Sequence, residues 1–205
     1  MKILCTSDLH GHYNFDRWPD ADVLVIAGDI TSYGRRVEYS RFNLQVEACQ
    51  YQHVVVVAGN HDLAFQDDPT TRLLLTAPNC HYLQDTSIVI AGVRFQGSPW
   101  TPTFGSWAFM KPRGTLHTIW DHIPMDIDVL ITHGPPAGHL DFNGYEYCGC
   151  SELRDAVDRV KPKLHVFGHI HFSHGTAFNA TTIFVNAARC TEGYDPINPP
   201  ILVEI

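Results

Sequence analysis

Two histidines one residue apart, His169 and His171, follow the apolar run Leu164–Phe167 and a glycine. Alone, such a pair is ordinary: two surface imidazoles, or one buried and one exposed. The rest of the chain gives it weight. Asp8 and His10 follow the apolar segment Lys2–Cys5, Asp29 follows Val23–Ala27, Asn60 and His61 follow Val54–Ala58, and His133 follows Val129–Ile131. These segments are short and rich in Val and Ile, the composition of buried strands. Each delivers a polar, metal-competent side chain at its carboxyl end, where open α/β sheets build their sites.

Imidazole and carboxylate donors suit Zn, Fe, Mn or Ni, and no thiolate is required. Asp8, His10, Asp29, Asn60, His133, His169 and His171 are too many for one catalytic ion that keeps an open position. They suit two ions sharing a bridging carboxylate, a pair able to clamp the attacking and leaving oxygens of a phosphoryl transfer. Gly28, Gly59 and Gly168 directly precede Asp29, Asn60 and His169. Glycine there is expected to take the sharp turn that aims the next side chain over the sheet edge.

Holding these groups takes a layered scaffold. Further strand-like segments lie at Ile88–Ile90, Val93–Gln96, Ile183–Val185 and Ile201–Val203; the first two flank Ala91-Gly92 and read as a hairpin. Helical patterns occupy Val37–Tyr51, with apolar Val37, Phe42, Leu44, Val46 and Ala48, and Ser151–Val160, where Ser151 is the N-cap candidate. Weaker helical patterns lie at Thr70–Leu75 and Leu116–Ile123, and Pro99–Pro112 reads as a long functional loop. Strands alternating with helices give an α/β or α+β class built on layered sheets. With 205 residues and no repeat or linker, residues 1–205 read as one domain.

Composition narrows the function. Apolar residues make up 44% and charged residues 18%, an ordinary globular balance. A net charge of −8 argues against a bulk binder of nucleic acid or membrane, which needs a basic face. Six scattered cysteines, no signal-peptide pattern and no membrane-length apolar run lead to the expectation of a cytoplasmic protein with reduced thiols. Cys148 and Cys150 read as loop thiols.

In order along the chain, Asp8-Leu9-His10, Gly28-Asp29, Gly59-Asn60-His61-Asp62, Thr132-His133-Gly134 and Gly168-His169-Ile170-His171 resemble the five blocks of the calcineurin-like metallophosphoesterases. His133-Gly134-Pro135-Pro136, Asn186-Ala187 and Asn198-Pro199-Pro200-Ile201 are similar, more narrowly, to the metallophosphoesterase-domain-containing subgroup. The resemblance implies a four-layer α-β-β-α sandwich of two mixed β-sheets flanked by helices. It implies two metal ions, manganese or iron with zinc as an alternative. One would be held by Asp8, His10, Asp29 and His171, the other by Asp29, Asn60, His133 and His169, with Asp29 bridging. It also implies in-line attack by a bridging hydroxide, with Asn60 and His61 at the substrate. His61 would help the leaving oxygen depart as an acid or charge stabiliser.

Departures from the family bear on the substrate. The protein phosphatases of this superfamily carry Gly-Asp-x-x-Asp-Arg-Gly and Arg-Gly-Asn-His-Glu, where this chain has Gly28-Asp29-Ile30-Thr31-Ser32-Tyr33-Gly34 and Ala58-Gly59-Asn60-His61-Asp62. Both arginines are missing, and Ser32 stands where an aspartate would orient His61. A phosphomonoester dianion gains from a bidentate arginine; a diester carries one charge and needs it less. The expected activity is therefore a phosphodiesterase on small diesters such as cyclic nucleotides. A phosphomonoesterase and a non-catalytic scaffold on the same fold are the alternatives. His12 is a further candidate for substrate contact, and Trp100, Phe104 and Trp107 could stack a base or pack on the sandwich. His139, Asp141, Asn143 and Tyr145 are candidates for the pocket rim. His53, His81, His117, His122 and His165 read as structural or exposed.

Overall fold

The computed structural model describes residues 1–205, the side chain of Pro69 excepted. In chain order the strands are β1 (Lys2–Thr6), β2 (Val23–Ala27), β3 (His53–Val57), β4 (Cys80–Tyr82), β5 (Thr86–Ile90), β6 (Val93–Ser98), β7 (Thr101–Pro102) and β8 (Met110–Lys111). They continue with β9 (Val129–Thr132), β10 (Leu164–Phe167), β11 (Gly175–Phe178), β12 (Ile183–Asn186) and β13 (Ile201–Glu204). The helices are α1 (Arg36–Ala48), α2 (Leu63–Asp67), α3 (His117–Trp120) and α4 (Ser151–Val160).

Two mixed sheets form, ordered β13-β1-β2-β3-β4 and β11-β12-β10-β9-β6-β5, with a small β7-β8 pair beside them. β1 to β4 run parallel, as do β6, β9, β10 and β12, while β13, β5 and β11 pair antiparallel. Alternation along each strand explains the layers. Ile3, Cys5, Val23, Val25, Val55 and Val57 point inward and meet Val129, Ile131, Leu164, Val166 and Val185 of the second sheet. Leu4, Leu24, Ile26, Val54 and Val56 point outward and are covered by Tyr39, Phe42 and Val46 of α1 and Phe65 of α2. On the far side, Leu130, Phe167 and Phe184 are covered by Trp120 of α3 and Leu153, Val157 and Val160 of α4. The result is the expected four layers. Strands buried on both faces read as unbroken apolar runs, which is why the sequence marks them. Each fully buried Val or Leu contributes about 1.5–3 kcal/mol.

The helix faces correct the sequence reading. In α1 the buried residues are Tyr39, Phe42, Asn43 and Val46, while Val37 and Leu44 are both 61% exposed. The buried set follows the three- and four-residue steps of a helix; Val37 and Leu44 lie off that phase. In α4 the N-cap is Cys150, whose Sγ accepts the Leu153 N–H at 3.4 Å, and Ser151 is the first helical residue. The pattern at Thr70–Leu75 is a 3-10 segment at Pro69–Leu74. The hairpin of β5 and β6 turns at Ala91 and Gly92, with φ of 47° and 83°. All six cysteines are free.

The two sheets are stitched together at their carboxyl ends. Ser7, just past β1, receives the Arg189 N–H on its carbonyl and donates its own N–H to Ala187, both at 2.9 Å. Gly168 N–H, just past β10, bonds the His133 carbonyl at 2.9 Å. These links set the loops after β1, β9, β10 and β12 side by side.

Candidate metal centre

At that shared edge Asp29 sits in the middle. Its Oδ1 accepts the His61 backbone N–H at 2.7 Å. That leaves Oδ2 between two imidazoles, 3.7 Å from His10 Nε2 and 3.5 Å from His133 Nε2. Asp8 is fixed the same way: its carboxylate accepts the His169 N–H, and Oδ1 lies 3.3 Å from His171 Nε2. Asn60 Oδ1 lies 2.8 Å from His133 Nε2. Three groups of donors converge closely enough for an ion: Asp8, His10 and His171; Asp8, Asp29 and His133; His10, Asp29 and His61. His169 lies outside these groups, its ring 5.0 Å from that of His133.

Backbone carbonyls aim most of the imidazoles. His133 Nδ1 donates to Ala27 O, and His171 Nδ1 to Thr191 O, both at 2.9 Å. His61 Nδ1 donates to Ser32 O at 2.9 Å. A ring nitrogen facing a carbonyl must carry the proton, so Nε2 offers its lone pair in the neutral ring. The residue at the position of the missing aspartate thus still orients His61, through its main chain. Nothing in a side-chain pattern could have announced that.

The turns are sharper than expected, and glycine is not where most of the bending occurs. Asp8, His10, Asp29 and His169 themselves adopt positive φ, at 52°, 42°, 50° and 68°. Such conformations cost non-glycine residues energy and cluster at functional sites. Gly28 does turn, at φ +103°, but at Gly168 the requirement is space. A Cβ there would overlap the Asp8 carboxylate and Ser7.

Asp62 ties the loops together beneath the centre. Its carboxylate accepts N–H groups of Gly59, Ile30 and Thr31 and the Thr31 hydroxyl at 2.8–3.2 Å. Burial, and then the negative Asp29, push its pKa up to about 7. Asp29 itself lies well below the usual carboxylate range; burial opposes this, but the charge of His133 outweighs it. Burial likewise works to raise Asp8, and its bond and charge pairing with His171 hold it low. Burial lowers His10, and it lowers His169 to about 3.

Against burial, Asp29 draws a proton onto His133, whose pKa rises to about 9, and Asp8 raises that of His171, so the buried carboxylates require positive charge that a metal ion would supply in place of those protons. His10 is 5% exposed and neither ring nitrogen has a hydrogen-bond partner. Buried polar atoms are rarely left in that state. The donor set therefore fits metal ions of the imidazole–carboxylate type.

The Calcineurin-like phosphoesterase family model matches residues 1–173. The chain belongs to that family. Metallophosphoesterase domain-containing protein 1 of Homo sapiens is 39% identical over all of this chain and 71% of its own length. A UPF0046 protein of Caenorhabditis elegans is 40% identical over 96% of this chain and 79% of its own. A crystal structure only 16% identical superposes with a TM-score of 0.73, covering 90% of this chain and 89% of the other, a likeness of fold. As a calcineurin-like phosphoesterase the protein is a metal-dependent phosphoester hydrolase, and its family uses a dinuclear centre.

Above the centre of this phosphoesterase opens a cleft of ≈ 660 Å³. Trp107 stacks on His61 at 4.5 Å and 29°, and Phe104 lies 5.0 Å from the His169 ring. Both line the cleft. Trp100 does not: its indole N–H bonds Asp85 at 2.9 Å and its ring packs on Phe109. His12 is exposed and lines a separate hollow with Tyr13 and Arg41, so the structure does not bring it to the other site residues. Of the rim candidates, Asn143 lines the cleft, whereas His139 stacks on Phe184 at 3.8 Å and the buried Asp141 caps the Gly138 and Gly149 N–H groups. Tyr145 is 92% exposed. Tyr194 also lines the cleft, and no motif or spacing pointed to it. Among the described residues no helix is long and apolar enough to cross a membrane.

Proposed function

We propose that the protein is a phosphodiesterase for small diesters, cyclic nucleotides among them, acting through two ions of the manganese or iron type. The supporting observation is the charge of the cleft. Among the described residues lining it, Arg113 is the one arginine or lysine. Its guanidinium already donates to the carbonyls of Gly149 and Cys148, both at 2.8 Å. No free guanidinium fork faces the donors, so the site is poorly equipped for a phosphomonoester dianion. It is adequate for the single charge of a diester.

In this reading Asp8, His10, Asp29 and His171 hold one ion, and Asp29, Asn60, His133 and His169 the other. When bound, such ions supply Lewis acidity at the phosphoryl oxygens and lower the pKa of water toward neutrality. The chain's own work is positional. The His61 N–H and the two facing imidazoles fix the Asp29 carboxylate. The Ser32 carbonyl holds the proton on His61 Nδ1, which leaves Nε2 to carry a second proton and give it to the departing oxygen. Trp107 covers one face of His61 and excludes water from it. Phe104 and Trp107 offer aromatic surface to a nucleobase. The −8 net charge disfavours long nucleic acid.

The test compares hydrolysis of an aryl diester, its monoester, and 2′,3′- and 3′,5′-cyclic nucleotides, with and without Mn²⁺. Metal-dependent cleavage of diesters exceeding that of the monoester is expected. Preference for the monoester would overturn the reading in favour of a phosphatase.

A further inference from the structure

His10 is held unlike the three imidazoles of the centre that a backbone carbonyl fixes. His61, His133 and His171 each donate Nδ1–H to a backbone carbonyl at 2.9 Å. His10 turns Nε2 toward Asp29, and neither of its nitrogens has a hydrogen-bond partner. Metal-binding histidines are ordinarily fixed by a bond from the second nitrogen, which sets ring orientation and tautomer. Here rings surround it instead. Tyr194 meets His10 at 4.8 Å and 81°, and His61 meets it at 4.7 Å and 84°. In T-shaped pairs the edge of one ring meets the face of the other, so His10 is held by aromatic contact where a carbonyl would ordinarily hold it.

Tyr194 is itself placed at some cost. Its φ is +65°, a conformation that is a genuine outlier for a bulky residue. The segment carrying it is pinned from several sides. Arg189 donates to the Asn198 carbonyl at 2.6 Å, and Asn198 Nδ2 to the Ala188 carbonyl at 3.0 Å. Thr191 donates its N–H to Asp195 O at 2.9 Å and takes the Tyr194 N–H on its own carbonyl at 2.8 Å. That same carbonyl holds His171. One turn therefore reaches two members of the Asp8–His10–His171 group, His171 through its main chain and His10 through the Tyr194 ring.

We propose that Tyr194 is a positioning residue that holds His10 in its metal-facing orientation by ring contact and so controls retention of the ion at Asp8, His10 and His171. The inference rests on the metal-centre reading above. Its consequence is that the ion at Asp8, His10 and His171 depends on an exposed loop as well as on the buried strand ends. Tyr194 is 49% exposed, so its ring can be altered without opening the core.

The test loads the 205-residue protein with Mn²⁺ and measures bound metal by mass spectrometry, then follows its release to excess chelator. Tyr194→Phe keeps the ring and should match the wild type in content and release. Tyr194→Ala, and Tyr194→Leu, which keeps bulk without a π face, should release one ion about 10–100-fold faster while the other leaves at the wild-type rate. Thermal unfolding of the metal-free proteins should be the same for all four. Unchanged release in both Tyr194→Ala and Tyr194→Leu would overturn the proposal and leave the metal centre standing. So would release as slow as wild type in Tyr194→Leu alone, which would assign the effect to bulk, or fast release in Tyr194→Phe, which would assign it to the hydroxyl. A wild-type protein that holds no Mn²⁺ would overturn the metal reading and this inference with it.

Discussion

At the floor of the cleft Asp8, Asp29, Asn60 and His133 are each no more than 3% exposed; on its walls Phe104 is 56% and Trp107 41% exposed. The floor hangs on the ends of parallel strands, and its groups are fixed by hydrogen bonds to neighbouring segments: His61 N–H to Asp29, His169 N–H to Asp8, His133 Nδ1–H to Ala27 O. The walls are carried by the segments around β7 and β8 and after β12, and their side chains meet the floor through ring contacts, Trp107 on His61 and Phe104 on His169. Burial and directional bonds serve chemistry that tolerates little displacement. Exposed aromatics on loops serve selection, where one surface must accept related ligands.

The sharpest way to break this comparison is at the floor. Asp29→Asn removes one charge from the carboxylate that His10 and His133 face. Loss of both ions and of turnover is expected, read by metal content and diester hydrolysis. Near-normal activity would mean that Asp29 bridges nothing. His61→Ala should instead spare the metal and lower kcat by about 10²–10⁴, the range for a lost general acid. If the ions leave with the imidazole, His61 belongs with His10 and Asp29 as a ligand, a grouping the geometry also permits.

At the wall the expected effect is smaller and depends on substrate. Trp107→Ala should raise KM for a cyclic nucleotide by about tenfold, in line with ~1–3 kcal/mol of stacking per base. A dialkyl diester, with nothing to stack, should show little change in KM. Equal losses on both substrates would assign Trp107 to shielding His61 alone.

The same division decides what the sequence disclosed. Strand ends at the floor were legible because Asp, Asn and His recur there, the residue types that a metal site would require, and buried parallel strands are unbroken apolar runs; β2, β10 and α4 fall within their expected bounds. The walls were not. β4 and β11 lack an apolar run, and β7 and β8 are two residues each. His12 stood two residues from a donor yet faces another hollow, because the chain bends at His10 and Gly11, with φ of 42° and 85°. Tyr194 and the Ser32 carbonyl act through packing and main chain, which carry no residue-type signature. In α1 the chemistry of Val37 and Leu44 suggested burial, and only the phase set by Tyr39, Phe42 and Val46 decided it.

Beneath the floor the comparison can be sharpened by pH. His165 is fully buried on β10; Thr132, whose hydroxyl donates to Gly134 O, accepts its Nε2–H at 2.8 Å. Its Nδ1 has no partner, and burial lowers its pKa from 6.5 to about 3, with the nearby His139 adding to the shift. The folded protein therefore keeps this imidazole neutral where the unfolded chain would protonate it. A depressed folded value means that stability present above pH 6.5 is lost as pH falls toward 3, at about 1.4 kcal/mol per pH unit. His165→Gln, which retains a donor for Thr132 and cannot titrate, should flatten the fall between about pH 6 and 4 in chemical-denaturation curves of the metal-free protein. If the slope is unchanged, the acid sensitivity lies in the other buried imidazoles, His10 and His169, whose pKa values burial also lowers.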